Sequence, residues 1–271
     1  MNLKSVTGKS WKLNNVDNNK ILKLTEEFSL SEILCRLLAI RNIFGEDVKE
    51  FLKPDLKKQI PNPYIFKDMK VSVEHIYGLI KERSIIGIFG DYDVDGASST
   101  AMLIKFFTKI NQPYNFFIPD RQRDGYGPSV ATFDKFIKKN IKTIITVDCG
   151  TLSNEAVDFA NKKNVSTIIL DHHQADLSLP KALGIINPTR IDDNSELKYL
   201  CATSIVFFFL LALNQKLKDT NWYQKNNIKE PDLFEYLDLV ALATICDVVP
   251  LVGLNRSLVK HGLKVIHKRK N

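Results

Sequence analysis

The feature that most constrains this chain is an alternation of short apolar runs with helix-like segments, which begins at Val71. Four apolar runs follow one another in the order SIIGIFG, YNFFIP, KTIITV and STIIL. They are separated by the amphipathic stretches ASSTAMLIKFFTKI, SVATFDKFIKKN and SNEAVDFANKKN. Short apolar runs are typical of strands that are buried on both faces, and helices supply the crossovers between them. The pattern predicts an α/β fold in which a parallel β-sheet is flanked by helices.

The segments on either side of this region are mainly helical in pattern. ILCRLLAIRNI and EDVKEFL predict helices near the N-terminus, and Ser29 with Glu32 resembles a capping box before the first of them. YLCATSIVFFFLLAL and PDLFEYLDLVALATIC predict two helices in the C-terminal part, and a third is expected to start at Asn255. We therefore expect an N-terminal helical and extended segment (1–70), a central domain (71–254) and the beginning of a further helix (255–271).

Acidic residues and histidines are concentrated where the predicted strands end. The positions are Asp91, Asp93 and Asp95 after the first strand, Asp148 after the third, Asp171, His172 and His173 after the fourth, and Asp247 after LVALATIC. Because ligands of open parallel sheets bind beyond the carboxyl ends of the strands, these side chains are expected at one edge of the sheet. Carboxylates that are gathered in one place repel each other unless cations neutralise them. The sequence therefore predicts a metal site.

The stretch FGDYDVDGASS allows more than one interpretation. Its D-x-D-x-D-G pattern matches the start of an EF-hand loop, but such a loop needs a glutamate at its twelfth position, where this chain has Met102. A strand rather than a helix also precedes it, so we exclude the EF-hand. A haloacid-dehalogenase-type phosphatase, with Asp93 as the nucleophile, is the alternative that stays open. Ser98 or Ser99 is expected to cap the helix that follows.

The pair of histidines in LDHHQ narrows the choice of metal. Side chains of adjacent residues diverge, so we expect one of His172 and His173 among the ligands. An imidazole among carboxylates suits Mn²⁺ better than Ca²⁺, and Mg²⁺ is also compatible.

Four segments in this order, GDYDVDG, ITVDCG, LDHHQ and ICDVVP, resemble the motifs of the DHH phosphoesterase superfamily. Within it, the chain is similar over essentially its whole length to the RecJ-type family of single-strand-specific 5′→3′ DNA exonucleases, which act in DNA repair and recombination. EDVKEFLKP, IPDRQRDGYGPS, IINPTR and LVGLNRSLVKHGL fit the same family. The resemblance implies that residues 71–254 form the DHH catalytic domain and that residues 255–271 begin a connecting helix.

The resemblance also implies roles for individual residues. The implied ligands of two divalent cations, Mn²⁺ or Mg²⁺, are Asp93, Asp95, Asp148, His172 and Asp247. Asp148 would bridge the two ions, which would activate a water molecule for attack on a phosphodiester. Asp91 would be a nearby carboxylate, Asp171 would orient its neighbours, and His173 would face the scissile phosphate.

The segment RQRDGYG could be an ordinary surface turn, but the family resemblance favours a contact with single-stranded DNA. Arg121 and Arg123 are candidates for phosphate contacts, Tyr126 for stacking on a base, and Gly127 for a close approach of the backbone. The net charge of +7 suits a polyanionic partner, but the charge alone is explained as well by a lysine-rich, solvated surface.

Chains of that family continue into DHHA1-type and OB-type domains, neither of which is expected in these 271 residues. A separate polypeptide that supplies those domains is a candidate partner. The alternatives are a DHH phosphoesterase for short oligonucleotides or small nucleotides, and an inactive remnant that only binds nucleic acid or a partner. The scattered cysteines and the shortness of the longest apolar run (200–213) favour a cytoplasmic protein without a membrane span.

Overall fold

A computed structural model describes residues 3–12 and 14–269. The chain divides into two compact units, Met1–Lys57 and Lys58–Asn271, and each is described by itself. Among the described residues, no helix combines the length and the apolar character that crossing a bilayer requires.

In its described residues, 3–12 and 14–57, the first unit contains a short hairpin and three helices before the boundary helix. Its elements are β1 (Leu3–Lys4), β2 (Ser10–Trp11), α1 (Asn18–Phe28), α2 (Glu32–Ile40) and α3 (Glu46–Leu52). β1 and β2 pair antiparallel, and the helices bury a small apolar core that includes Leu24, Leu38 and Val48. The expected capping box is wrong. Ser29 ends α1 in a left-handed conformation, and Ser31 rather than Ser29 precedes α2.

The second unit contains a parallel sheet of five strands. The strands are β3 (Ile86–Phe89), β4 (Tyr114–Phe117), β5 (Thr143–Val147), β6 (Ser166–Leu170) and β7 (Gly184–Ile186), in the spatial order β4-β3-β5-β6-β7. All four neighbouring pairs are parallel, which confirms the predicted sheet. The sequence pattern missed β7, because its three residues are too few for a periodicity and Pro188 follows closely.

Helices surround this sheet. They are α5 (Met69–Glu82), α6 (Val94–Lys109), α7 (Val130–Ile137), α8 (Asn154–Lys162), α9 (Ala202–Asp219), α10 (Trp222–Lys225), α11 (Leu237–Cys246) and α12 (Gly253–Ile266), with short 3-10 turns at Pro63–Ile65 and Leu233–Tyr236. The short helix α4 (Leu56–Gln59) contains the boundary between the two units. The fold is thus the expected α/β arrangement, with helices before and after the alternating region. The proline-containing segment PNPYIF (61–66), which precedes α5, contains the 3-10 turn at Pro63–Ile65.

The register of the sheet explains where function can be placed. Phe89 in β3 is the partner of Thr146 in β5, and Val147 in β5 is the partner of Leu170 in β6. The carboxyl ends of these three strands are therefore level with one another. Because the strands are central and almost fully buried, the residues that follow them are held at one edge by a rigid support.

Two glycines in helices of this unit allow a test of the packing. A Cβ at Gly262 in α12 would lie 2.1 Å from the carbonyl oxygen of Leu237 and 2.4 Å from the Cβ of Ala241, both in α11. A Cβ at Gly78 in α5 would meet nothing within 4 Å. We expect Gly262→Ala to lower the free energy of unfolding by about 1–3 kcal/mol, because the helices must separate. Gly78→Ala should raise it by about 0.5–1 kcal/mol through helix propensity.

Urea denaturation of both variants beside the parent chain measures these changes. A lower free energy of unfolding for Gly262→Ala and a higher one for Gly78→Ala would establish the close contact between α11 and α12. A gain in stability at Gly262 would contradict it.

Candidate metal centre

The turn after β3 is shaped by an aspartate and a glycine. Asp93 is the N-cap of α6, and its Oδ1 accepts a hydrogen bond of 2.9 Å from the backbone N–H of Gly96. A Cβ at Gly96 would lie 2.6 Å from the carbonyl oxygen of Asp91, so the turn requires glycine at this position. The expectation that Ser98 or Ser99 caps α6 is wrong, since both lie inside the helix and are buried.

Asp95 points away from solvent and connects α6 to α9. It is 1% exposed. Its Oδ2 accepts from the backbone N–H of Ala202 at 2.6 Å, and its Oδ1 accepts from the N–H and hydroxyl of Thr203 at 2.8 and 2.6 Å. A carboxylate at the N-terminus of a helix satisfies free N–H groups and offsets the positive end of the helix dipole. Asp95 therefore holds α9 in place whatever else it binds.

Asp148 is the most deeply enclosed acid of the group. It follows β5 in a left-handed conformation with φ of 61° and is 1% exposed. Among the described residues, neither of its carboxylate oxygens has a hydrogen bond of favourable geometry, although Nε2 of His172 lies 3.3 Å from Oδ1. Burial, and then the negative charges of Asp95 and Asp93, raise the pKa of Asp148 far above its usual range. Without a cation, the ionised form of this carboxyl group is strongly disfavoured.

His172 stands at the centre of the acids. Its Nε2 lies 3.3 Å from Oδ1 of Asp148, 3.6 Å from Oδ2 of Asp247 and 3.7 Å from Oδ2 of Asp95. Asp247 ends α11, and burial raises the pKa of its carboxyl group. Residue Val248, which follows it, has φ of 59° and is 85% exposed. A β-branched residue in this conformation is strained, and such strain is typical of functional sites.

Asp171 and His173 form a separate pair beside this cluster. Oδ1 of Asp171 accepts from Nδ1 of His173 at 2.8 Å, and Oδ2 accepts from the hydroxyl of Thr151 at 2.6 Å. Although burial opposes it, hydrogen bonding with His173, the charge of that ring and the Thr151 hydroxyl lower the pKa of Asp171 to about 2. The same hydrogen bond raises the pKa of His173. Asp171 is thus hydrogen-bonded to the ring of His173 on one side and to Thr151 on the other, and its role in orienting His173 stays a prediction.

Two residues that the sequence analysis missed complete this support. Asn187 is fully buried after β7, and its Nδ2 donates to the hydroxyl of Thr151 and to the carbonyl of His173, both at 2.9 Å. The carbonyl of His173 also accepts from the hydroxyl of Thr189 at 2.8 Å. Both residues lie in the segment INPT (186–189). Their contacts could not be predicted, because the sequence analysis did not recognise strand β7, which places them.

The donor set fits divalent cations. Three groups have ligand atoms that all lie within 4.8 Å of one another: Asp148, His172 and His173; Asp95, His172 and Asp247; and Asp91, Asp93 and Asp148. Buried atoms without a hydrogen-bond partner among the described residues include Nε2 of His172, Oδ2 of Asp247 and Oδ1 of Asp91. Ligand atoms that share one ion at roughly 2.1 Å lie roughly 3–3.5 Å apart, close to the separations around His172. Burial raises the pKa of Asp91 as well.

The four residues expected to bind nucleic acid lie in a loop, residues 120–127, which we call the arginine loop. Tyr126 is brought to the centre, since its hydroxyl lies 3.3 Å from the carbonyl oxygen of Asp148 and from Nδ1 of His173. Arg121 is exposed, and its guanidinium lies 5.5 Å from the centre of the Tyr92 ring. Arg123 is exposed, and its described hydrogen bonds are those of its backbone N–H to Asp120. Gly127 is buried with φ of 76°.

Comparison with known proteins decides the family. The sequence model of the DHH family, N-terminal domain, matches residues 85–244, which is more than half of the chain. This chain belongs to the DHH family. The haloacid-dehalogenase alternative is thereby excluded, and Asp93 needs no role as a nucleophile.

This DHH-family chain is RecJ-like. It is 35% identical over 242 residues to the single-stranded-DNA-specific exonuclease RecJ of Escherichia coli, covering 89% of this chain and 41% of that protein. It is 29% identical over 258 residues to RecJ of Bacillus subtilis, covering 95% and 31%. The DHH chain described here therefore spans roughly one third to two fifths of the length of these relatives.

Solved structures support the same DHH fold. A crystal structure of exonuclease RecJ bound to manganese matches with a TM-score of 0.63 and 28% identity, covering 78% of this chain and 49% of that one. RecJ of Thermus thermophilus in complex with Mn²⁺ matches with a TM-score of 0.70 and 24% identity, covering 93% and 34%. The second likeness shows the fold alone.

Proposed function

We propose that this chain carries the catalytic centre of a metal-dependent phosphodiesterase that hydrolyses single-stranded DNA in the 5′→3′ direction. The observation that supports the proposal is the convergence of acids and imidazoles at the carboxyl edge of the sheet, where buried oxygen and nitrogen atoms lack partners among the described residues. Buried polar atoms that lack a hydrogen bond are unfavourable unless cations bind them.

The residues that would hold two cations, Mn²⁺ or Mg²⁺, are Asp93, Asp95, Asp148, His172 and Asp247, with Asp91 close by. When bound, such ions make a water molecule more acidic and offset the charge of the phosphate. Asp148 and His172 each belong to two of the three groups of ligand atoms, and of the two only the carboxylate of Asp148 offers two oxygen atoms, so it would be the residue suited to contact both ions. Asp95 would contribute from a carboxylate that is already immobilised by α9.

His173 is the group best placed to act on the phosphodiester itself. The hydrogen bond of Nδ1 with Asp171 raises the pKa of the ring, which favours the charged imidazolium form. Its side chain is 45% exposed, whereas that of His172 is 13% exposed. His173 can therefore donate a hydrogen bond to a phosphate oxygen or give a proton at Nε2 to the leaving oxygen.

The arginine loop supplies contacts of a different kind. Arg121 is exposed and positively charged, which suits a phosphate of the strand. Tyr126 is 56% exposed as a residue, which suits stacking of its ring on an unpaired base. Because Tyr126 also reaches the backbone of Asp148, a base stacked on it would lie next to the centre.

The experiment compares three substrates with the purified chain in Mn²⁺: a long single strand, the same strand in a blunt duplex, and a dinucleotide. We expect hydrolysis of the single strand to exceed that of the duplex by at least about tenfold, since stacking on Tyr126 needs an unpaired base. Labels at the 5′ and 3′ ends report the direction. Early release of the 5′-terminal nucleotide is the expected result.

Preference for the dinucleotide would instead identify a phosphodiesterase of short oligonucleotides. Binding of Mn²⁺ without hydrolysis of any of the three substrates would overturn the proposed activity and favour a nucleic-acid-binding role.

A further inference from the structure

The side chain of Tyr92 touches the arginine loop at two places. Its ring packs edge to face against the ring of Tyr126, with centroids 6.5 Å apart, and it lies under the guanidinium of Arg121 at 5.5 Å. Tyr126 in turn packs edge to face against His173, with centroids 5.9 Å apart. One row of contacts therefore runs from Arg121 through Tyr92 and Tyr126 to His173.

The hydrogen bonds within the arginine loop preserve its shape but do not attach it to the metal centre. Oδ1 of Asp120 accepts from the backbone N–H groups of Gln122 and Arg123, and Oδ2 of Asp124 accepts from the N–H of Asp120. The ion pair of Asp124 with Lys135 reaches α7, not the centre. Among the described residues, attachment to the centre runs through the ring contacts and through the Tyr126 hydroxyl, which lies 3.3 Å both from the carbonyl oxygen of Asp148 and from Nδ1 of His173.

Tyr92 is itself rigidly placed. It lies between Asp91, which is 4% exposed, and Asp93, whose carboxylate caps α6. Its ring therefore offers a fixed surface beside the acids, whereas the arginine loop ends in two glycines with positive φ, Gly125 and Gly127. A guanidinium whose face rests on an aromatic ring keeps the N–H groups of its edge available for a phosphate.

We propose that Tyr92 is a positioning residue for DNA binding, whose ring holds Arg121 and Tyr126 at the metal centre. The expected effect on DNA hydrolysis rests on the proposed function. The expected effect on the mobility of the arginine loop does not. The side-chain contacts described above involve the ring and not the hydroxyl, so phenylalanine should serve and leucine should not.

The first experiment needs no DNA. Trypsin cleaves after arginine, and both Arg121 and Arg123 lie in the arginine loop, so the rate of cleavage at these two sites, followed by mass spectrometry, reports how firmly the loop is held. We expect Tyr92→Leu to accelerate it by at least about fivefold, because exposed loops that lose packing open more often. Tyr92→Phe should restore the slow rate.

The second experiment measures hydrolysis of a single-stranded oligonucleotide in Mn²⁺. Tyr92→Leu is expected to raise KM about tenfold and to change kcat much less, since it loosens contacts to the strand and leaves the acids in place. Combining it with Arg121→Ala should raise KM by less than the product of the two separate effects, because both changes remove the contact of Arg121 with Tyr92, whereas only Tyr92→Leu removes the packing against Tyr126.

Tyr77→Leu is the matched control. Tyr77 is also half-buried and carries Lys81 and Lys216 over its ring at 5.0 and 5.2 Å, but it lies on α5. The variant Tyr77→Leu should change neither the rate of trypsin cleavage at Arg121 and Arg123 nor the KM. Unchanged trypsin cleavage in Tyr92→Leu, or a fall in kcat with KM constant, would overturn the positioning role. Accelerated cleavage without any DNA hydrolysis in the parent chain would support the positioning of the loop and reject the proposed function.

Discussion

Replacing Asp148 with asparagine should stabilise the metal-free protein and abolish its stabilisation by Mn²⁺. The carboxyl group is almost fully buried near Asp93 and Asp95, and its oxygens have no hydrogen-bond partner among the described residues. Removing a buried group whose ionised form is disfavoured should raise the free energy of unfolding of the metal-free chain by about 1–3 kcal/mol. An amide is a poorer ligand for a divalent cation than a carboxylate, so metal affinity should fall if the proposed site is correct.

Thermal unfolding with and without Mn²⁺ measures both effects. In the parent chain, an ion at a hundred times its dissociation constant should stabilise the fold by about 2.7 kcal/mol, which corresponds to roughly 5–10 °C. Asp148→Asn should lose most of this shift, and hydrolysis should fall by at least about a hundredfold.

Asp158→Asn, at an exposed acid on α8, is the matched control and should behave like the parent chain. Asp148→Asn would contradict the prediction if it destabilised the metal-free chain and left the stabilisation by Mn²⁺ undiminished. Asp148 would then be an ordinary structural acid.

Replacing Asp171 with asparagine should have the opposite effect on stability. Its two oxygens accept five hydrogen bonds, from the backbone N–H and hydroxyl of Thr151, the N–H of His172, and the N–H and Nδ1 of His173. The amide of asparagine would place N–H groups against donors at this buried position. We expect the free energy of unfolding to fall by about 3 kcal/mol or more, with or without metal.

Urea denaturation with EDTA and with Mn²⁺ measures the loss, and Asp176→Asn, an exposed acid in the same loop, is the control. A variant that folds should also show a lower kcat, because the ring of His173 loses its orientation. A change in stability below about 1 kcal/mol would contradict the role of Asp171 as the support of the histidine pair.

Much of the fold follows from local patterns. The runs SIIGIFG, KTIITV and STIIL contain β3, β5 and β6, because strands buried on both faces need continuous apolar residues. Short elements were missed. β7 has three residues and the hairpin of β1 and β2 has two residues per strand, so their pairing depends on neighbours that no local pattern describes. Asn18–Phe28 was also missed, since its low apolar content hides a helical face in which Ile21 and Leu24 are buried.

The identity of the candidate site residues was also accessible, whereas their interactions were not. Three acid-bearing turns after buried strands had to meet at one edge, because parallel strands end together. The capping of α9 by Asp95 joins residues more than a hundred positions apart, and the contact of Asn187 with Thr151 needs β7 in place. Their roles as ligands and catalytic groups stay predictions until the variants are measured.

The sequence by itself determined that a parallel sheet would form and that Asp148, His172 and their partners would follow its strands. The apolar runs and their alternation with helices along the chain are visible in the sequence. The tertiary structure decided the hydrogen bonding and the burial of each acid. Asp95 is held by helix N–H groups, Asp171 by five donors, and Asp148 by none among the described residues. Hydrogen bonding and burial set the charge that a carboxyl group can carry, and both are fixed only when distant segments pack together.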